Sequence, residues 1–455
     1  MTDYDRVFFS RSRRRFLRQG AAVGLAASLG PLLAACGSDG GSGGSSGPVT
    51  LQVWGGVPAE NGPADLIAAF QKANPRITVR YTRYVNDDTG NTKLDTSLQS
   101  GIPIDVYFSY TIPHINPRIS AGLAEDLTPY INADSTLKAW VQGTQGIFHV
   151  DNKYFSLPTA RSPFYVLANK KALDAAGVTL PQKWTIDDFH ALARQLSKGA
   201  TLGAFAPPTV LPYAPPSLAT MTLGADAYYK NNGSESNFDH PIFRQNLELH
   251  RGMITEKSSF PWTDVLSQNL RAYTQRPFLT GQNLLWITQA FSLRYINDLQ
   301  TYPHDFMTTF APMPAPGGAS TYYNGGGLDN FIMMNARSQV KDEAWQFIRF
   351  WLGEGAKYML KGGKIPALPG TDTDTIVSGI LGAQKDQLYD VASFKNVLTD
   401  AGAPLSIDTQ TRGLTKIASI VQGQSELYLT GQLSLDQWVS TVKQQADAAI
   451  KSAGA

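Results

Sequence analysis

The chain has 455 residues, 42% of them hydrophobic and 17% charged. That is length for two or three ordinary domains and the composition of a soluble globular protein. The formal net charge of +2 is unevenly spread: residues 1–35 hold six Arg and two acids, and the remainder carries 33 basic and 35 acidic side chains, about −2. A folded part this close to neutral excludes the clustered Lys/Arg face of a nucleic-acid binder, and a single cysteine, Cys36, excludes an intrachain disulfide.

The chain opens with Ser12-Arg13-Arg14-Arg15-Phe16-Leu17-Arg18, which fits the twin-arginine export pattern S-R-R-x-F-L-K with Arg at its last position. A 16-residue apolar run follows, Gly20–Ala35, broken by Pro31. It falls short of the ~20 residues a membrane-crossing helix needs. Basic flank, short apolar stretch and small residues describe a cleaved signal over residues 1–35. The run ends Leu33-Ala34-Ala35-Cys36, which resembles a bacterial lipobox. The resemblance implies lipidation of Cys36, and with it a chain exported and anchored to the cell membrane, facing the periplasm or cell exterior. Residues 36–47 are then a Gly/Ser tether, a flexible coil. Gly43–Gly47 matches G-x-S-x-G, but a tether lacks the strand and helix which that motif requires.

Val49–Trp54 alternates as a strand and breaks at Gly55-Gly56. Ala64–Ala73 carries Leu66, Ile67 and Phe70 at helical spacing and stops at Asn74-Pro75. Ile77–Tyr84 is a second strand, Lys93–Gln99 a helix and Ile104–Tyr110 a third strand. Tyr154–Leu157 and Phe164–Asn169 are extended, and Lys171–Ala176 is a helix ending at Gly177. Thr185 caps a helix over Ile186–Ser197, whose first turn holds Asp187 and Asp188. Asn283–Thr288 and Phe331–Met334 are strands, Lys341–Leu352 a helix, and the last third is mostly helical to Ile450. The Pro-rich stretches Pro207–Pro216 and Pro312–Pro316 read as irregular connections. Strand–helix alternation predicts an α/β fold with largely parallel sheets, and the length predicts more than one core.

Several segments together resemble the family 1 extracellular solute-binding proteins, which include the maltose-binding proteins. They are Leu51–Trp54, Pro103–Phe108, Gly122–Leu127, Asp151–Pro158, Asn169-Lys170 with Gly177, Pro181–Thr185 with Asp188 and Phe189, the helix Lys341–Leu352, and Gly363–Pro366. The resemblance implies a two-lobed periplasmic-binding-protein fold of type II, its lobes joined by a three-segment hinge. Carried onto this chain, residues 48–158 and 327–365 form an N-terminal lobe and 159–326 and 366–455 a C-terminal lobe. The crossings fall near Leu157–Arg161, Tyr323–Asp329 and Ile365–Leu368. It also implies a small solute, most simply a sugar, bound between the lobes by a monomer and handed to the permease subunits of an ABC importer. No cofactor, metal or catalytic residue is implied.

Ligands of open α/β sheets bind beyond the carboxyl ends of strands. That rule and the resemblance together select Trp54, Gly56 and Glu60 after the first strand, Ser109 and Tyr110 after the third, and Arg161 and Ser162 at the first crossing. They also select Tyr213 in a Pro-rich loop, Gln289 and Phe291 after Asn283–Thr288, and Gly326, Asp329 and Arg412 where the family closes its cleft. Aromatic faces pack on the C–H patches of a sugar ring, and charged side chains bond its hydroxyls. Trp54, ending an apolar strand, serves equally as core, and Arg161 equally pairs with an acid. Trp184 reads as a helix-start staple, and Trp286, Trp345 and Trp351 as packing.

Three other readings compete. A lipid-anchored glycosidase needs two carboxylates with opposed pKa values, and nothing local marks such a pair among 37 acids. None of the six histidines forms H-E-x-x-H, and the chain has no Walker A motif. The same fold could bind a polyamine, if more acids line the cleft, or Fe(III), for which Tyr228-Tyr229 and Tyr322-Tyr323 are the adjacent tyrosine pairs.

Overall fold

A computed structural model of the chain describes residues 47–144, 147–205, 217–271, 273–317, 321–399 and 403–453. The signal segment, Cys36, Pro207–Pro216 and all but the last residue of the tether lie outside them. Among the described residues no helix is long and apolar enough to cross a membrane.

The strands are β1 (Val49–Gly55), β2 (Ile77–Arg83), β3 (Val106–Ser109), β4 (Leu157–Ser162), β5 (Tyr165–Asn169), β6 (Leu202–Phe205), β7 (Tyr229–Lys230), β8 (Glu235–Ser236), β9 (Asn283–Thr288), β10 (Thr308–Pro312), β11 (Gly327–Met334) and β12 (Ile365–Pro366). They form a six-stranded sheet in the order β12-β4-β11-β3-β1-β2, a four-stranded sheet β10-β5-β9-β6 and a small β7-β8 ribbon. The sheets are mixed rather than largely parallel. β1 runs parallel to β2 and β3, and β6 to β9. The other pairings of the two large sheets are antiparallel. Local alternation shows that a strand exists but not from which direction it enters. β11 and β12 come to the first sheet from the far side of the chain and meet β4 head to tail.

The pleat explains why β3 and the second half of β11 are buried without interruption: there the six-stranded sheet is covered on both faces. In β1, Leu51 and Val53 join one core while Trp54 joins the other. In β3, Val106 and Phe108 go to the first core and Tyr107 to the second; in β11, Ile332 and Met334 likewise, against Phe331 and Met333. The helix Pro63–Ala73 starts with proline at its first turn and buries Leu66, Ile67 and Phe70. Phe70 meets Phe347 and Phe350 of the helix Lys341–Leu352 edge-on, at 5.1 and 5.4 Å. The four-stranded sheet has its own core around Trp286, Phe310 and Phe394. There Thr185 and Asp188 close a reciprocal capping box at the start of Ile186–Leu196, and Gly177 takes the left-handed C-cap of Lys170–Ala176 at φ 65°. Trp184 packs edge-on against Phe189.

Candidate functional site

A cavity of about 600 Å³ opens where the ends of the two large sheets face each other, within the roughly 300–1,000 Å³ of small-molecule sites. From the six-stranded side it is reached by Gly56 beyond β1, Tyr110 beyond β3, Ser162 at the end of β4, Asp329 in β11 and Lys364 before β12. From the four-stranded side come Gln289, Phe291, Arg294 and Tyr295, beyond β9.

Each group is held by its surroundings. The Tyr110 hydroxyl accepts a hydrogen bond from the Gly56 N–H. A Cβ at Gly56 would lie 3.0 Å from the Tyr110 ring, so any larger residue there would push the ring aside by a few tenths of an ångström. Burial, with Tyr81 and Tyr84 nearby, holds the Tyr110 phenol well above its ordinary pKa, so it stays neutral. Gly326 is similarly constrained: a Cβ there would meet the Ser162 carbonyl oxygen at 2.3 Å. The Gln289 side chain donates to that same carbonyl at 2.8 Å, tying the loop after β9 to the end of β4.

Asp329 accepts hydrogen bonds from the Ser162 hydroxyl at 3.3 Å, the Asn330 N–H at 2.6 Å and the Asn330 amide at 3.0 Å. Asn330 sits inside β11 at φ 54°, a left-handed conformation that asparagine tolerates better than most residues. Lys364 Nζ lies 3.7 Å from Asp329, with 11% of its side chain exposed. Burial lowers the Lys364 pKa; Asp329 opposes that and Arg294 adds to it. The Phe291 ring lies 5.9 Å from both Lys364 Nζ and the Arg294 guanidinium carbon. Arg294 also stands 4.8 Å from the Tyr295 ring and donates to the Tyr295 hydroxyl at 2.9 Å.

Seven of the sequence-selected residues therefore meet in one cavity: Gly56, Tyr110, Ser162, Gln289, Phe291, Gly326 and Asp329. Five do not line it. Trp54 is core, because the pleat turns it away from the strand end; Lys93 Nζ lies 5.8 Å from its ring. Glu60 is exposed on the short turn Ala59–Asn61. Ser109 is fully buried, its hydroxyl accepting from Arg118 and directed at Met333 Sδ at 3.2 Å. Arg161 is half-buried in β4 with no acid at ion-pair distance among the described residues, and burial lowers its pKa. Arg412 borders a separate shallow depression with Asp447 and Lys451. Tyr213 lies outside the described residues.

Sequence reasoning missed Lys364, Arg294, Tyr295 and Asp408, which also line the cavity. Lys364 stood within the Gly363–Pro366 segment, and Arg294 and Tyr295 lie six and seven residues beyond the end of β9, past the short turn Ala290–Ser292. For Asp408 the sequence carried no signal. Its carboxylate accepts from the Asp226 N–H at 2.7 Å, and burial pushes its pKa up to about 6. In return Asp226, at φ 58°, accepts from the Thr409 N–H, the Thr409 hydroxyl and the Gln410 N–H. Neither adjacent tyrosine pair lines the cavity: the Tyr228 hydroxyl meets Thr220 Oγ1 at 2.9 Å and Tyr229 donates to the Arg412 carbonyl. Among the described residues no cluster of His, Cys, Asp and Glu is arranged to hold a metal ion.

Residues 59–358 match the family described as bacterial extracellular solute-binding protein. No curated protein sequence matches the chain. Several solved structures share its fold. A sugar transporter from Rhizobium etli, in an open conformation, aligns over 88% of this chain and 99% of its own, at 20% identity and a TM-score of 0.67. An ABC substrate-binding protein from Listeria monocytogenes in complex with cycloalternan aligns over 90% and 99%, at 20% identity and 0.70. A solute-binding protein from Agrobacterium vitis with bound D-mannitol aligns over 89% and 99%, at 18% identity and 0.63. The fold is that of the type II periplasmic binding proteins.

Proposed function

Since the chain belongs to the bacterial extracellular solute-binding protein family, we propose that it is the exported solute-binding component of an ABC importer. It takes a mono- or oligosaccharide into the cavity, closes on it and delivers it to the permease. One observation carries this reading: a cavity of about 600 Å³ lies between the ends of two sheets, with aromatic faces and fixed polar groups converging from both. Tyr110, Phe291 and Tyr295 offer surfaces for the C–H faces of a ring, and Ser162, Gln289, Asp329 and Lys364 offer donors and acceptors for hydroxyls. Two structural neighbours hold cycloalternan and D-mannitol, both polyhydroxylated, which supports the same ligand class here.

The lobes of the proposal are residues 48–158 with 327–365 and residues 159–326 with 366–455. The three strands β4, β11 and β12 lie side by side in one sheet, a place for a hinge to be shared among three segments. Cys36 anchors the processed chain to lipid after twin-arginine export, and the protein acts as a monomer. A polyamine fits poorly, since Asp329 faces Lys364 and Asp408 is drawn toward its neutral form. The family is one of binding proteins, and turnover of the solute is not part of the proposal.

The test is a thermal-shift screen of the purified protein against sugars, polyols, polyamines, amino acids and Fe(III). A ligand at about a hundred times its Kd stabilises the folded state by roughly 2.7 kcal/mol. A shift with one carbohydrate class, with no product formed on long incubation, supports the reading. Hydrolysis of an oligosaccharide would sink it.

A further inference from the structure

Resting on the sugar-binding reading, we propose that the solute bears an anionic group, a carboxylate or a phosphate, received by Arg294 and Lys364 beside Phe291. The charged groups of the lining are Arg83, Arg294 and Lys364 against Asp329 and Asp408. The acids are already engaged. Asp329 is ringed by Ser162, Asn330 and Lys364, and Asp408 is held by the Asp226 N–H. No carboxylate among the described residues lies at ion-pair distance from Arg294, whose contacts are the Tyr295 hydroxyl and two aromatic faces.

A guanidinium does not shed its proton in a protein, and a half-buried one without an anion is in an unfavourable place. Its fork matches a carboxylate or phosphate with two parallel bonds. Lys364 adds to the imbalance. It is nearly buried, leans on the same Phe291 ring and is within electrostatic reach of Arg294, so two cations, one from each side of the cavity, converge on one ring with a single carboxylate, Asp329, beside Lys364. A neutral sugar leaves that repulsion standing, whereas an acidic one relieves it.

The experiment is titration calorimetry of the protein with matched pairs: D-galacturonate against D-galactose, glucose 6-phosphate against D-glucose, and a di-uronide against its neutral disaccharide. At least one acid is expected to bind at least about tenfold tighter than its neutral partner, the size of one charge-assisted hydrogen bond. That margin should narrow as salt is raised. Arg294→Gln should collapse the acid-to-neutral ratio and Arg294→Lys should restore part of it, with melting curves showing that each variant is folded. If Arg294→Gln does not fold, Lys364→Gln reads the same ratio. Neutral sugars binding as tightly as their acids overturn the inference and leave the sugar-binding reading intact. Binding of amino acids or polyamines with no response to any carbohydrate overturns both, and no response to any acid in the set overturns the inference.

Discussion

On the six-stranded side of the cavity nearly every polar group is already engaged by the protein itself. Tyr110 is bonded by Gly56, and Asp329 by Ser162 and Asn330. On the four-stranded side Phe291 and Tyr295 present faces, and Arg294 meets no acid among the described residues. Both walls follow strand ends, yet one is self-satisfied and the other carries unspent charge. The difference separates two roles. Internal bonds fix shape, and a polar group left without its natural partner is where a ligand gains most.

Substitutions can break or sharpen that contrast. The largest effect is expected behind the first wall. Trp54→Ala should cost about 3–5 kcal/mol of stability, as for other buried aromatics, read from the denaturant midpoint, while Kd for the solute changes little. A large loss of affinity with an unmoved midpoint would put Trp54 in the site after all.

Next comes pH. Burial raises Asp408 from 3.8 to about 6, so between those values the folded protein holds a proton that the unfolded chain releases. Stability is therefore highest below about pH 4 as far as this group is concerned, and it falls as pH rises through about 6. The loss is up to about 3 kcal/mol at 1.36 kcal/mol per pH unit. Asp408→Asn should flatten that slope in urea midpoints taken across the range; an unchanged slope would mean the carboxyl is better solvated than its packing implies.

Phe291→Ala, in the second wall, should weaken solute binding about tenfold or more, roughly 1.4 kcal/mol, with a midpoint shift below about 1 kcal/mol. The reverse pattern, a large midpoint shift with Kd unmoved, would erase the distinction between the walls. The smallest effect belongs to Tyr110→Phe. Loss of the Gly56 bond should cost about 1 kcal/mol of stability and leave ring stacking on the solute in place, by the same two measurements.

The parts legible in the sequence were those set by local period. Asn283–Thr288 and Lys341–Leu352 were read at the bounds the structure gives them, because each carries an uninterrupted pattern and clear ends. Parallel pairing was over-read, since the direction of β4, β11 and β12 is fixed by contacts between residues 165 to 206 positions apart, such as Leu157 with Ile332 and Ala160 with Pro366. Within the site, Gly56, Tyr110, Gln289 and Phe291 were legible as residues following strands. Ser109 and Trp54 follow the same rule and fail it by one pleat. Lys364, Arg294 and Asp408 owe their significance to burial and to which charges they meet, and neither is written locally.

The position of β11 has a further consequence, for the order in which the chain can be completed as it is made. β11 lies between β4 and β3 in the six-stranded sheet, yet it is residues 327–334, long after both. The four strands of the other sheet all fall within residues 165–312. A growing chain thus has every strand of the second sheet in hand while the first, though begun at residue 49, still has a gap in its middle. β3 and β4 wait for their shared neighbour, with the edges that face it open to mispairing until residue 334 arrives, and the other edge of β4 stays open until β12 at residue 366.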